Sequence, residues 1–547
     1  MRRAIAAVAA ALLASASVPA RGAPLALTID ELMRWTPGGA TADPGNVARV
    51  PVARRFHAAP LNRRVRTDPE VRVLYAPDGM DMLGGKRTAT PRFNGYVFTH
   101  WAQIDLFAWF AGTATRGVQL PSRGWVEAAH RNGVPVIGTV FFAPVAWGGS
   151  PGTVASFLRR DARGRFPAAA QLVRIARHYG FDGWFVNAET GGADGAAMID
   201  FMAELRAVAP PAMTIHWYDA LLPDGRVVWQ NALTPANARF LQDGTRRTAD
   251  AMFLNYDWTR AGLVESAALA RRLGRSRYDL FIGADLWPAR DAQPAFRKGD
   301  WLAALRERPG GRALGSIALF APHFGYSFPG DARTPRFSDF DRDDRDVARF
   351  YDAERRLFAG DTRDPARPAP TGWPGVASLA PTSGVVPSLP FRTSFTTGHG
   401  RIDTRDGRVV GGPWHDMARQ DVQPTWQFAT LGRRRMTVAY DFATAFSGGS
   451  SLRFVPDGPG GTATVPLYAL RLGGRVTVTA VSRGGAGYAL RIGSGVARPL
   501  TASADWRTTR WCARTTAGET HVSVVARPAA RQPLNLGQVS IEPGCNI

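Results

Sequence analysis

Lysine is almost missing from this chain, and cysteine occurs only twice. Of 67 basic residues, only Lys86 and Lys298 are lysines. The formal net charge of +22 is therefore carried by arginines scattered along the sequence, with no basic block interleaved with aromatics. That pattern argues against a nucleic-acid footprint, although a diffuse positive field still favours acidic glycans or surfaces. The two cysteines, Cys512 and Cys545, have no neighbouring histidine pair, which excludes a zinc motif. In an oxidising compartment they are candidates for a single disulfide. Beyond the N-terminal segment no run of about 18 apolar residues occurs, so no integral membrane segment is expected in the mature chain. Internal repeats and heptads are also absent.

What is present is enough chain, at 547 residues, for two or three domains, with an ordinary hydrophobic share of 45%. Arg2 and Arg3 precede a short apolar run over Ala4 to Ala16, and small residues follow, with cleavage positions after Ala20 or Ala23. This order predicts a signal peptide over 1–23 and a periplasmic or secreted product. Residues 24–69 form an N-terminal extension. Tryptophan is frequent at 16 copies, and indoles either stack on sugar rings or fill cores.

From about residue 70 to 360, short apolar runs alternate with stretches of helical periodicity. Strands are predicted at Val71–Ala76, Ile104–Phe110, Pro135–Phe142, Gly183–Ala188, Met213–Tyr218, Ala251–Asp257, Leu280–Asp285 and Ser316–Ala321. Helices are predicted at Pro121–Asn132, Ala168–Tyr179, Ala196–Val208 and Arg260–Leu273. Eight such alternating units predict an α/β fold, a closed (β/α)8 TIM barrel. A doubly wound open sheet is the alternative, but no Gly-rich phosphate loop follows the first strand. The Pro-rich stretch 361–388 reads as a linker. Residues 389–547 carry alternating patterns at Met436–Tyr440, Leu467–Leu472, Val476–Val481 and His521–Ala526, separated by glycine. These predict a β-sandwich accessory domain.

The most informative segment is Phe181-Asp182-Gly183-Trp184-Phe185-Val186-Asn187-Ala188-Glu189. It starts as a buried strand and ends polar, as the fourth barrel strand does when its C-terminal edge holds an active site. Asn187 and Glu189 are two positions apart and so share a strand face, while Asp182 sits at the structural end. Glycoside cleavage needs an acid for the leaving oxygen and a nucleophile for the anomeric carbon. Where the substrate's own 2-acetamido group attacks, the second protein group need not be a carboxylate. An Asn amide can orient the acetamide, and Glu189 can act as acid and then base. A solvated strand terminus is the plain alternative. Tyr218, in Ile215-His216-Trp217-Tyr218-Asp219, is placed to donate a hydrogen bond to the acetamide or the intermediate. Later strand ends add Trp229, Asn231, Asn255, Trp258, Asp285 and Trp287, which with Trp101 and Trp217 form the candidate sugar-binding set.

Asp-Gly-x-x-x-Asn-x-Glu echoes the signature of chitinase-like barrels, and the wider sequence resembles glycoside hydrolase family 85, the endo-β-N-acetylglucosaminidases. The matching stretches include Tyr96 to Trp101, Trp125, His130 to Gly133, Gly138-Thr139, Phe181 to Glu189, Trp217 to Asp219, Phe253 to Trp258 and Leu319 to Pro322. In the accessory region they include Leu389 to Phe391, Gln420-Asp421, Pro424 to Trp426 and Gly448 to Leu452. The resemblance implies cleavage between the two core N-acetylglucosamines of N-linked glycans with retention, often with transfer to acceptors other than water. It implies that Asn187 orients the acetamide, Glu189 is acid/base and Tyr218 supports the intermediate. It implies no metal or organic cofactor. The chain departs from the family at Pro77 to Met82, which lacks a His, at Phe141-Phe142-Ala143-Pro144 in place of a Glu-Trp pair, and at His323-Phe324 in place of a Trp. Those positions bear on which glycan fits. A chitinase-like or peptidoglycan-directed N-acetylglucosaminidase is the alternative enzyme, and a non-catalytic glycan-binding protein the alternative without chemistry.

Overall fold

A computed structural model describes residues 25–79, 89–287, 300–327, 338–367, 369, 371–458, 460–528 and 531–545. The leader, Met80 to Met82 and both lysines lie outside the described residues. Eight parallel strands close on themselves: β1 (Val73–Ala76), β2 (Leu106–Ala108), β3 (Val136–Phe142), β4 (Gly183–Ala188), β5 (Thr214–Tyr218), β6 (Ala251–Leu254), β7 (Leu280–Asp285) and β8 (Ser316–Phe320). Each pairs with the next, and β8 returns to β1 through Ile317 opposite Val73. All eight expected strands are present, and the barrel is closed.

The strands are apolar on both faces because both are covered. One set of alternate residues, among them Leu74, Phe110, Phe185, Phe253, Phe281 and Phe320, fills the barrel interior. The other set, including Tyr75, Trp184, Trp217 and Leu254, packs outward. Burying each large apolar side chain contributes roughly 1.5–3 kcal/mol. The outer layer holds α1 (Arg123–Arg131), α2 (Pro167–Tyr179), α3 (Gly195–Val208), α4 (Arg260–Arg272) and α5 (Val347–Ala359). Local chemistry sets their ends. Proline opens α2 and Gly180 closes it in the left-handed region, while the Asp194 side chain caps α3 and Thr259 caps α4.

The helical layer is not regular. In the described residues between β1 and β2, a single 3-10 turn, Trp101–Gln103, takes the place of a long helix, and the C-terminal domain docks there. Trp101 Nε1 donates to Gln420 Oε1 at 2.6 Å, Gln103 Nε2 to the Thr425 carbonyl at 2.9 Å, and Gln427 Nε2 to the Thr99 carbonyl at 2.7 Å. The N-terminal extension is also built in. Ala26–Leu27 pairs with Val118–Gln119, which pairs with β3, and Arg54–His57 pairs with Ser383–Val386.

The stretch 361–388, read as a linker from its composition, is packed. Trp373 is fully buried and stacks on Trp301 at 5.4 Å, and Arg363 pairs with Asp352 of α5. Ser383–Val386 continues into the C-terminal sheet through Val385 and Leu470. Its proline content set the composition, but Trp373 and Leu379 supply apolar anchors that composition does not weigh.

The C-terminal domain is an antiparallel sheet built on β9 (Met436–Asp441), β10 (Ser451–Pro456), β11 (Ala463–Gly484), β12 (Tyr488–Ile492), β13 (Ser503–Ala526) and β14 (Leu534–Pro543). It encloses its own core of residues such as Phe454, Val465, Leu470, Val478, Val524 and Val539. Met436–Asp441 is a short strand as expected, but two other expected strands are pieces of one. Leu467–Leu472 and Val476–Val481 are one continuous strand, and the glycine pair between them makes a bulge at Leu472/Gly474, not a turn. Cys512 of β13 and Cys545 beyond β14 are disulfide-bonded, with Cα atoms 5.4 Å apart. Among the described residues no helix is long and apolar enough to cross a membrane.

Candidate active site

Strand β4 carries Asn187 at its C-terminal end with Glu189 just beyond, and its neighbours fix where it stands. Gly183 approaches β5 so closely that a Cβ would lie 1.9 Å from the Thr214 carbonyl oxygen. At the N-terminal end Asp182 accepts from the Val136 amide and contacts His130 Nε2, both at 2.7 Å, a structural role as expected. At the C-terminal end the Glu189 amide donates to the Phe142 carbonyl at 2.8 Å, and the Thr190 hydroxyl donates to the Ala143 carbonyl at 2.6 Å. The edge bearing Asn187 and Glu189 is thereby tied to the loop that follows β3.

Asn187 shares the inward face with Phe185 and is buried. Its Nδ2 donates to Glu189 Oε2 at 3.4 Å, and its Oδ1 is buried with no hydrogen-bond partner among the described residues. A buried carbonyl without a donor costs about 1–3 kcal/mol, so the pocket holds an acceptor ready for an incoming N–H. Burial raises the pKa of the Glu189 carboxyl above the ordinary carboxylate value, and hydrogen bonds from Asn187 and Trp229 partly offset this. That is the setting of a general acid.

Behind the pocket runs a chain of amides. The Asp257 amide and Asn255 Nδ2 both donate to Asn231 Oδ1, at 3.1 and 2.8 Å. Because a backbone N–H can only donate, it fixes the direction of the Asn231 side chain, which in turn fixes that of Asn255. Asn255 Oδ1 is left to accept from the Tyr218 hydroxyl at 2.6 Å. The proton of Tyr218, expected to be offered to the substrate, is committed to Asn255. Burial, with the nearby Glu189 and Asp219 carboxylates, holds Tyr218 well above its usual pKa, so the hydroxyl stays neutral. Asn231 itself has φ of 55°, in the left-handed region, and its amide donates to Asp219 Oδ2 at 2.7 Å. Burial pushes Asp219 up to about 6, against hydrogen bonds from Asn237 and the backbone of Gln230, Asn231 and Asn255.

These groups open onto a pocket of about 530 Å³ at the C-terminal mouth of the barrel, lined by Asn187, Glu189, Tyr218, Trp147, Tyr256 and Trp287 among others. Of the expected residues, Trp287 lines the wall directly, and Trp229 stands beside Glu189 with 43% of its surface exposed. Asn231 and Asn255 lie one layer back, as supports of Tyr218. Asp285 is buried at the end of β7, accepting from the Trp287 amide at 3.1 Å. Three expected sugar contacts are corrected. Trp101 is sealed at the interface with the C-terminal domain. Trp217 is one position out of phase with Tyr218, faces the outer layer and stacks on Phe240 at 4.1 Å. Trp258 donates to the Gly283 carbonyl at 2.9 Å and packs on the outer core instead of lining the pocket.

The wall also holds Phe110, Trp147, Phe185, Phe253, Tyr256 and Phe320, none of them among the expected contacts, and Asp78, which lies in the stretch 77–82 expected to bear on which glycan fits. Strand parity would have found Phe185, which is two residues before Asn187; Trp147 lies in a loop without a pattern. The departures from the family also find places. Phe141 meets Phe110 edge-on at 5.9 Å inside the barrel, while Phe142 points outward to Phe157. His323 is buried, accepts at Nδ1 from the Asp78 amide at 3.3 Å, and is held neutral by burial, which lowers its pKa to about 3. Among the described residues no group of three His, Cys, Asp or Glu side chains is arranged to hold a metal ion.

Comparison with known proteins matches this architecture to one family. The model of glycosyl hydrolase family 85 matches residues 83–402. A cytosolic endo-β-N-acetylglucosaminidase of Gallus gallus is 30% identical over 435 residues, covering 78% of this chain and 51% of the relative. That of Homo sapiens is 28% identical over 463 residues, covering 81% and 54%. The chain thus spans about half the length of the curated relatives it matches. Among solved structures, the glycoside hydrolase domain of Endo-D from Streptococcus pneumoniae R6 superposes with a TM-score of 0.80 at 28% identity, covering 94% of this chain and 82% of that one. The chain belongs to glycosyl hydrolase family 85.

Proposed function

We propose that this protein is an exported endo-β-N-acetylglucosaminidase that hydrolyses the GlcNAc-β-1,4-GlcNAc core of N-linked glycans by a retaining, substrate-assisted mechanism. The observation that carries the reading is the pairing of a raised-pKa Glu189 with an Asn187 whose buried Oδ1 lacks a donor. The names of the relatives point to the same bond class.

In the first step the acetamide carbonyl oxygen of the substrate attacks the anomeric carbon as the bond to the leaving sugar breaks. Glu189 gives its proton to the departing oxygen. The acetamide N–H donates to Asn187 Oδ1, which fixes the carbonyl for attack and faces the positive charge of the oxazolinium. The Tyr218 oxygen, with its own proton turned to Asn255, presents lone pairs to the same charge. In the second step Glu189, now a carboxylate, takes a proton from water as that water attacks the anomeric carbon. The oxazoline C–O bond breaks, its electrons return to the acetamide, and two inversions leave the configuration retained. Transfer to another sugar uses the same step with a hydroxyl in place of water.

Export is supported by the basic, apolar and small-residue order of 1–23 together with the bonded Cys512–Cys545 pair, since disulfides persist in oxidising compartments. The relatives carry the word cytosolic in their names. Proton NMR of the first product released from a chitobiose-core glycopeptide tests the mechanism. The β-anomer is expected to appear first. Initial release of the α-anomer would contradict the substrate-assisted route.

A further inference from the structure

We propose that Trp147 is the platform for the leaving N-acetylglucosamine, on the side of Glu189 away from Asn187. The inference rests on the hydrolase reading above and assigns one of its subsites. Trp147 is 64% exposed, the most exposed indole on the pocket wall, and it ends a 3-10 turn, Val145–Trp147. Its apolar face is left uncovered by the fold at the edge of the pocket. The adjoining Val145 is 57% exposed and extends the same apolar lip.

The turn is held rigidly. The Trp147 amide donates to the Pro144 carbonyl at 2.8 Å, and the Gly149 amide donates to the same oxygen at 3.0 Å. Gly148 has φ of 87°, and a Cβ on Gly149 would lie 1.8 Å from the Ala143 carbonyl oxygen. Only glycine fits both positions, so the path that carries Trp147 is fixed by backbone sterics.

The turn is also registered against the acid. Ala143 offers its carbonyl to Thr190, the residue after Glu189, and Phe142 offers its carbonyl to the Glu189 amide. Along β4 the order from the barrel floor outward is therefore Phe185, Asn187, Glu189, then the contact that holds the Trp147 turn. The acetamide is handled at Asn187, and the leaving oxygen must meet Glu189. The sugar attached to that oxygen extends outward past Glu189, toward the edge where the Thr190–Ala143 contact ties down the turn that carries Trp147 into the pocket wall. The axial C–H face of an equatorially substituted pyranose is apolar and flat, and an indole is its natural partner. On this geometry the peptide or protein that carries the sugar lies in solvent beyond the lip.

The test separates the leaving sugar from the sugars that remain. Three rates are compared in wild type, W147A and W147F: cleavage of a chitobiose-core glycopeptide, hydrolysis of the preformed glycan oxazoline, and transfer from that oxazoline to N-acetylglucosaminyl-asparagine. W147A is expected to lower kcat/KM for the glycopeptide and to raise the KM for the acceptor by about tenfold each. Oxazoline hydrolysis, which has no leaving sugar, should stay within about twofold by the same argument. W147F should recover most of the loss. An equal fall in oxazoline hydrolysis would overturn the assignment by placing Trp147 on the other side of the cleaved bond. Three rates unchanged in W147A would overturn it as well, while leaving the hydrolase reading intact. A folded wild-type protein that turns over neither substrate would refute the hydrolase reading, and the platform with it.

Discussion

The side-chain amide of Asn187 donates to Glu189 across 3.4 Å while its carbonyl oxygen lies buried without a partner among the described residues. In the proposed mechanism one residue thus lowers the pKa of the acid and offers an acceptor to the substrate. The two tasks separate by experiment. Asn187→Ala is expected to slow formation of the oxazoline by about 10² or more, as loss of an oriented polar group at developing charge does. Use of a preformed oxazoline should suffer much less. Parallel rates on glycopeptide and on synthetic oxazoline check this, and near wild-type turnover of the glycopeptide would contradict the assisted mechanism.

Glu189→Gln removes the proton carrier and keeps the shape. Turnover of the natural substrate should fall by about 10²–10⁴, with no loss of thermal stability, because the variant sheds a carboxyl that burial already disfavours in its charged form. Activity assays beside a melting curve are sufficient.

The pH dependence has a definite sign. In the proposed mechanism the first step needs Glu189 protonated, and burial raises its pKa, so kcat/KM should decline as pH rises through that raised value and not at the ordinary carboxylate value. Trp229 hydrogen-bonds to the carboxylate and lowers the pKa. Trp229→Phe should therefore move the basic limb of kcat/KM to higher pH. A shift to lower pH would show that the indole does not stabilise the anion.

Tyr218 and Asn255 form a unit that a double-mutant cycle can measure. Asn255→Leu frees the Tyr218 proton to turn into the pocket, and kcat should fall by about tenfold, the value of a hydrogen bond of 1–1.5 kcal/mol. If Asn255 acts through Tyr218, the double variant with Tyr218→Phe should be no worse than Tyr218→Phe alone. Additive losses in kcat would give Asn255 a contact of its own with substrate.

The disulfide bears on stability and not on chemistry. Cys512 and Cys545 are 33 residues apart in sequence, and neither lines the pocket. Replacing both with serine should cost about 3–4 kcal/mol in denaturant unfolding of the C-terminal transition. Turnover at 25 °C should be unchanged.

Much of this molecule was legible before its structure. The eight barrel strands stood out because a parallel strand covered on both faces is a continuous apolar run, and β4 and β7 match their expected limits. Asn187 and Glu189 stood out because polar residues at such a strand's end have few structural uses. What stayed hidden depended on distant partners or on phase. Trp101 is explained by Gln420, 319 positions away, and no local pattern reports that contact. Trp217 was legible in principle, since its neighbour Tyr218 had already claimed the inner face. In the C-terminal domain, Gly473 and Gly474 carry the composition of a turn, but the long pairing of β11 with β13 makes them a bulge. Tyr218 lies on the pocket wall, but its proton points to Asn255, because the direction of that bond is set by the Asp257 amide through two asparagines.

The most direct test of the proposed activity is the mass of a high-mannose glycoprotein after incubation with the purified protein. A single N-acetylglucosamine left on each glycosylated Asn and a released glycan one residue short are expected. A glycoprotein of unchanged mass, in the presence of folded protein, would contradict the proposed activity.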